Sequence, residues 1–537
     1  MRFRHRFAAL AGLLPVVILY SAPRPDYPAS KHGGTYMFNY YLPPAPSSTP
    51  WFPSWSPDGK WLAIAMYGSI WKIDPQTGTA HELTYNAKYH SSPDWSPDGK
   101  WIVYTADDGG GTIQLEIVNV ETGESRELTS DNHVYADPVF SPDGSRVAYV
   151  STRPNGYFNV SVRPIRDGQW AGDETAVSKD NSYGKNRLYF GEWDMHTQPA
   201  WMPTGKELEL VSNRDAPLGS GNVWRVPVEP NGMAKASLIL KEETLYRTRP
   251  DIPRDGKRII FSSSRGAADQ YNHLYILPIG GGEPYKMTFG PHDDFHPRWS
   301  PDGEWIAYIS NQGGLPQLWL LETYGGSKKK VAVTSRRWKR PMGTVHLTVQ
   351  ERTGQPAAAR VYAAASDGKL YAPPESYSRI SSTRMTWRLN DAFFHTAGES
   401  SFEAPVGRMA IEVVKGFEHR PVRREVEVRA GEMARVSLQL DPLIDMRAKG
   451  WYSGSTHSHM NYGGNLRNTL DHMMLMGRAE DLDVVNVLVA NKDSRVLDWQ
   501  YFVQGGGEHP ISKDARDLKV IVGEEYRPPF YGHVFFI

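Results

Sequence analysis

Two histidines stand one residue apart in the stretch GWYSGSTHSHMNYGG, as His457 and His459. On an extended backbone, residues i and i+2 point to the same side, so both imidazoles can meet one ion. Further along, Asn491, Lys492 and Asp493 follow the apolar run LDVVNVLVA, Glu524 and Glu525 close LKVIVGEEY, and His533 opens HVFFI. The chain holds 17 histidines and no cysteine among its 537 residues. With thiolates excluded, any metal must be held by His, Asp or Glu. That donor set suits zinc, manganese or iron at an open, hydrolytic site. No GxSxG nucleophile elbow is present, so a serine-hydrolase reading finds no support.

The elements that would position these groups begin at Trp451, where the pattern turns α/β. GWYSGSTHSHM reads as a strand running into a loop. Asn468 or Thr469 can cap a helix through TLDHMMLMGRAED, with Leu470, Met473, Met474 and Gly477 on one face. LDVVNVLVA is a fully apolar strand of the parallel, buried kind, and LKVIVGEEY and HVFFI supply two more. Ligands in such architectures gather at the carboxyl ends of strands, which is where the polar residues above fall.

The stretches HSHMNYGG, GRAEDLDVVNVLVANK and GEEYRPPFYGHV resemble, in order, the PHP superfamily of metallohydrolases, closest to its CehA/McbA-like branch. The resemblance covers residues 446–537. It implies His457, His459, Glu525 and His533 as metal ligands, Glu524 as a proton acceptor or orienting group, and hydrolysis of an ester, amide, carbamate or phosphoester. The sequence departs from the family at Gly454–Ser455–Thr456, where Gly-Asp-Leu is common, and at Asn491–Lys492, where Asp-His is common. Lys492 then reads as an electrostatic partner of the substrate. A closed barrel of this type needs about seven strand–helix units, and related eight-fold barrels run to ~250 residues. The expectation is therefore an incomplete α/β domain, truncated at its C-terminus, with at most a weak single-metal site and little hydrolase activity.

Ahead of this region lies a repeat. WSPDGKWLAIA begins at Trp55, WSPDGKWIVYT at Trp95, FSPDGSRVAYV at Phe140 and WSPDGEWIAYI at Trp299. Weaker copies begin at Trp201 and Ile252. Pro-Asp-Gly makes a tight turn and an alternating strand follows each one. A spacing of ~40–60 residues matches propeller blades. The repeats resemble the TolB-like β-propeller family, which implies a binding or scaffold platform. Six copies predict a six-bladed β-propeller over residues 35–335, with TYMFNYYL as the closing strand of the last blade. His90, His133, His196 and His296 precede repeat turns at similar places; they read as polar groups satisfying backbone partners at a channel mouth.

Residues 341–441 alternate apolar and polar at period two, as in GTVHLTVQ and ARVSLQL. About seven strands make a β-sandwich. The segments GQPAAARVY and SFEAPVGRMAIEVVKGFEHRPV resemble the carboxypeptidase regulatory-like domain, a transthyretin-like sandwich. Such modules serve as spacers or docking elements.

The 60 basic and 60 acidic residues cancel, which removes any nucleic-acid footprint. A basic start, an apolar stretch from Phe7 to Tyr20 and then small residues and prolines give residues 1–22 the shape of a secretory signal. No other segment is apolar enough to span a membrane. The sequence thus reads as a periplasmic or secreted, multidomain, metal-dependent hydrolase. It would act on a small-molecule or peptide-like substrate and carry a propeller that can hold a protein partner. The competing reading is a non-enzymatic scaffold with a vestigial metal site.

Overall fold

The computed structural model describes residues 47–536 apart from 109–111, 185–192, 216–220, 242–248, 266–270, 375, 377–378, 381–391, 462–467, 493–494 and 527–533. The signal-like start and TYMFNYYL therefore lie outside the described residues. Among the described residues the chain is β-rich, and no helix is long and apolar enough to cross a membrane.

Each strong repeat folds for the same local reason. In the first, Ser56 Oγ donates to Asp58 Oδ1 at 2.6 Å, and the amide of Lys60 donates to the same oxygen at 3.1 Å. Ser56 Oγ in turn accepts from Trp61 N at 3.0 Å, and Gly59 takes φ 70°, which its missing Cβ permits. The pattern returns at Ser96/Asp98, Ser141/Asp143 and Ser300/Asp302. The turn thus spends its own side chains on satisfying its backbone, and the next strand begins in fixed register.

Six antiparallel sheets follow one another along residues 51–331. The first adds a parallel fifth strand, Ser335–Arg337, beside Thr79–Glu82. The sixth draws all four of its strands from residues 294–331. The first strands Trp51–Trp55, Tyr89–Trp95, Tyr135–Phe140 and His196–Trp201 touch in order, and Asp294–Trp299 of the sixth sheet touches Trp51–Trp55 and, in the fifth sheet, Arg258–Ser263. In the fifth sheet a bridge between Asp251 and Ile260 takes the place of the first strand. Sheets one to four are thus linked in sequence, and the fifth, sixth and first are linked likewise.

The chain repeats a second device. The residue before a proline is left-handed in every repeat: Phe52, Ser92, Asp137, Gln198, Arg249 and His296, with φ between 31° and 52°. In five of the six sheets the pairing register shifts at this place. A bulge with a non-glycine residue in this region costs of order 1–3 kcal/mol and re-aims the side chains around it.

Residues 342–439 form two packed sheets of three and five strands. Met342–Gln350 alternates strictly between buried and half-buried, and pairs parallel with Met433–Gln439. Eight strands make the two sheets, one more than expected, with a two-stranded ribbon of His419–Arg420 and Asp441–Pro442 beside them. Val345, Leu347, Val349 and Phe394 join Trp51, Trp71 and Phe295 in one continuous hydrophobic core. These two sheets and the first and sixth sheets of the repeat region therefore share an interior.

The last unit is α/β. Gly454–Ser458, Val484–Lys492 and Lys519–Tyr526 are parallel neighbours, with Val484–Lys492 in the centre. The helix Leu470–Ala479 covers one face, packing Leu470, Met473 and Met474 on Val485, Val487, Val489, Val520 and Val522. Thr469 caps it, its side chain accepting from His472 N. Two features differ from expectation. Arg495–Leu497 is an added antiparallel strand beside the central one. Val534–Phe536 pairs antiparallel with Lys519–Tyr526, not parallel. The physical reason is length: a parallel crossover needs a dozen or more residues, and fewer separate Tyr526 from Val534.

Candidate metal centre

The first strand of this sheet carries His457 near its end, and His459 follows just beyond it. Glu525 sits opposite Ala490 of the central strand, near the carboxyl ends of both. These placements bring three side chains together. His457 Nε2 lies 3.0 Å from His459 Nε2 and 3.3 Å from Glu525 Oε2. His459 Nε2 lies 2.6 Å from the same carboxylate oxygen. Glu525 is 2% exposed, His459 17% and His457 47%, so the site has a buried floor and an open side.

One contact decides the chemistry of His459. Its Nδ1 lies 2.9 Å from the Leu488 carbonyl, an acceptor only, so Nδ1 carries the proton and donates it. In the neutral ring Nε2 then presents a lone pair, and it faces a carboxylate oxygen and a second imidazole nitrogen. Lone pairs that close repel unless a cation lies among them. A metal ion or an added proton supplies it.

The geometry also admits an ion. Atoms separated by 3.0, 3.3 and 2.6 Å lie on a circle of radius about 1.7 Å. A point ~2.1 Å from all three, the usual zinc–nitrogen and zinc–oxygen distance, exists ~1.2 Å off their plane. Two histidines and a glutamate with an open side form the donor set of a catalytic rather than a structural zinc site. The three residues fit the group.

The remaining expected residues fare differently. Glu524 is adjacent to Glu525 on a strand, so its side chain leaves from the other face, the one Val520 and Val522 present to the helix. The structure does not bring Glu524 to the point where the three ligands meet. Lys492 ends the central strand, opposite Arg495. His533 lies outside the described residues.

Asp498 was not singled out by sequence reasoning, and it secures the loop behind His459. It is 3% exposed, with a left-handed φ of 69°. Its Oδ1 accepts from Asn461 Nδ2 at 2.6 Å and its Oδ2 from Asn461 N at 3.2 Å. Asn461 Oδ1 accepts from Asn468 N, and Asn468 Nδ2 donates to the Met460 carbonyl at 2.6 Å. Asn461, and through it Asn468, are thus tied to one buried carboxylate. The only sequence signal was a pair of asparagines flanking a glycine-rich loop, which names no distant partner.

The expected channel histidines separate. His90 and His196 are fully buried, with Nδ1 against Thr84 Oγ1 at 2.7 Å and Ser212 Oγ at 2.9 Å. His296 is one of the left-handed residues and stacks on Phe52, with ring centroids 4.3 Å apart.

Known proteins resemble the first half of the chain. Residues 47–182 match the TolB beta propeller domain (PD40). The chain is 30% identical over 119 residues to the uncharacterized peptidase YuxL of Bacillus subtilis (strain 168), covering 20% of this chain and 18% of that protein. It is 26% identical over 152 residues to the Tol-Pal system protein TolB of Anaeromyxobacter dehalogenans (strain 2CP-C), covering 28% and 31%. Among solved structures, a putative TolB from Agrobacterium tumefaciens aligns with a TM-score of 0.38 at 16% identity, over 50% of this chain and 91% of that one. An oligogalacturonate lyase in complex with manganese aligns with a TM-score of 0.35 at 15% identity, over 52% and 90%. The match to the TolB beta propeller domain spans the first three of the six repeats. The chain spans less than a third of the length of the curated relatives it matches.

Proposed function

We propose that this protein is an exported metal-dependent hydrolase, in which a six-bladed propeller and a transthyretin-like sandwich carry a PHP-type α/β unit. The observation that supports the reading is the meeting of His457, His459 and Glu525 at the carboxyl ends of parallel strands. A bound zinc or manganese ion would supply a water of pKa ~7 and polarise the scissile bond. The chain's own groups prepare the place. The Leu488 carbonyl fixes the tautomer of His459, which turns Nε2 toward the shared point. Burial of Glu525 keeps its charge in a medium where it acts strongly on a cation. The exposed edge of His457 leaves one side of the site open to substrate. The signal-shaped N-terminus supports export. The propeller, similar to proteins named as peptidases and as TolB, supports a peptide-like substrate or a protein partner.

Metal analysis of the purified chain tests the reading. Zinc or manganese near one equivalent, lost in the double variant His457→Ala/His459→Ala, is the expected result. The same protein should hydrolyse a member of an ester, carbamate and phosphoester panel in a metal-dependent way. Metal-free protein after mild purification, with no turnover on added zinc or manganese, would favour the scaffold reading instead.

A further inference from the structure

On the side of the Pro-Asp-Gly turns, the first strands of the six sheets enclose a cavity of about 370 Å³, within the range of small-ligand sites. Its walls take one residue from each repeat, two positions beyond the left-handed one: Ser54, Asp94, Val139, Ala200, Asp251 and Arg298. The order around the cavity matters. Asp251, Arg298, Ser54 and Asp94 form one unbroken polar arc, and Val139 and Ala200 form the apolar remainder.

Arg249 reaches from the fifth sheet to Asp137 Oδ1 of the third, at 3.2 Å, and its guanidinium carbon lies 5.1 Å from the Phe52 ring centroid of the first. A side chain that touches sheets two places away in both directions lies across the space between them.

The polar arc is set for two opposite charges. Arg298 is 8% exposed and uses one guanidinium nitrogen, Nη1, on the Pro297 carbonyl at 3.1 Å and toward Asp251 Oδ1 at 3.9 Å. Among the described residues its Nε and Nη2 meet no acceptor, and that pair of donors is the edge that takes a carboxylate. Asp94, across Ser54 from Arg298, accepts from Ser54 Oγ at 3.2 Å and Phe140 N at 2.8 Å, with no cation in ion-pair contact. Asp251 is already beside Arg298 and accepts from Trp299 N at 2.8 Å. The lining holds two carboxylates, Asp94 and Asp251, and two guanidiniums, Arg298 and Arg254, so its charges balance and a ligand with one charge of each sign keeps that balance.

We propose that this cavity binds a small zwitterion of the α-amino-acid type. Its carboxylate lies on Nε and Nη2 of Arg298, its ammonium on Asp94, and its apolar side chain against Val139 and Ala200. The site is separate from the metal centre, and the inference does not depend on it. Burial of Asp94, which pushes its carboxyl up to about 6, agrees with a charge that a cationic partner would compensate.

Isothermal titration of the full chain with L-leucine tests this. L-leucine should bind, while 3-methylbutylamine, which lacks the carboxylate, and 4-methylpentanoate, which lacks the ammonium, should bind about ten-fold or more weakly. Asp94→Asn should weaken L-leucine by a similar factor with an unchanged melting temperature. No heat from L-leucine or L-valine would overturn the proposal, as would an amine or acid analogue binding as well as the amino acid. If Asp94→Asn fails to fold, the analogues on the natural chain still decide.

Discussion

Asp498→Asn separates a positioning role from a merely structural one. Asparagine tolerates the left-handed φ of 69°, so the backbone is not the perturbation. The substitution replaces one acceptor oxygen with an amine that faces Asn461 N or Nδ2, both donors. A hydrogen bond to a charged acceptor contributes about 1.5–3 kcal/mol, and one of the two is lost. If the Asn461 backbone, two residues past His459, must be held for His459 to meet Glu525, that loss appears in metal affinity as about 10–150-fold, since 1.4 kcal/mol is a factor of ten. Outer-shell partners of metal ligands commonly show 10–100-fold effects. The assay is competitive titration of the full chain with zinc against a chromophoric chelator, alongside a thermal melt. The expected result is a zinc Kd raised at least ten-fold, with the melt of the repeat region unmoved. An unchanged zinc Kd in Asp498→Asn, beside clear loss in His459→Ala, would refute the assignment.

Four further outcomes follow from named contacts. Glu524→Gln should leave zinc affinity within about two-fold, because its side chain leaves the far face of the strand. Arg340→Ala should lower the melting temperature sharply: Glu82, 0% exposed and 2.5 Å from Arg340 Nη1, would be left as an uncompensated buried charge, costing about 3–5 kcal/mol. Burial pulls Lys369 down to about 8 from 10.5, so between those pH values the unfolded chain binds more protons than the folded one, and stability rises with pH there. Lys369→Met should remove that rise, on the order of 3 kcal/mol at most, in melts of variant against natural chain from pH 7 to 11. L-leucine affinity should fall as pH drops from 7 to 5, because Asp94 gains its proton near 6; Arg298, Arg249, Arg254, Asp137 and Asp251 are the charged groups around it, and Asp94→Asn should flatten the profile.

The legible parts of this chain were those where one residue's chemistry fixes its own surroundings. Pro-Asp-Gly writes a turn, and Ser56, Asp58 and Gly59 complete it without help from afar. The pair His457 and His459 is legible for the same reason, since spacing alone puts both rings on one side. Adjacent carboxylates were not: a strand separates Glu524 from Glu525 by face, and only the register with Ala490 and the helix-packed valines shows which one turns inward. The direction of the last strand was read from its apolar composition, whereas the length of the connection decides it. The left-handed residue before each inner proline escaped notice because its side chain changes in every copy, from Phe52 to His296, while the backbone stays constant.

The way the units are joined sets where movement can occur. The first and sixth sheets of the repeat region share a hydrophobic interior with the sheets of residues 342–439, and Lys369, 1% exposed, donates to the Gly68 carbonyl at 2.9 Å. Separating them would expose apolar core and strand a buried ammonium. The α/β unit is held differently, by polar contacts at its lower edge: Glu480 with Arg360 at 2.6 Å and with His395 at 3.1 Å, and Asp481 with His419 at 3.5 Å. A cleft of about 1220 Å³ opens beside that joint, lined by Lys415, His419, Arg478 and Asp517. Polar interfaces of this kind open at lower cost than shared cores. Glu480 and Asp481, which carry these contacts, also lead into the central strand on which Leu488 holds His459.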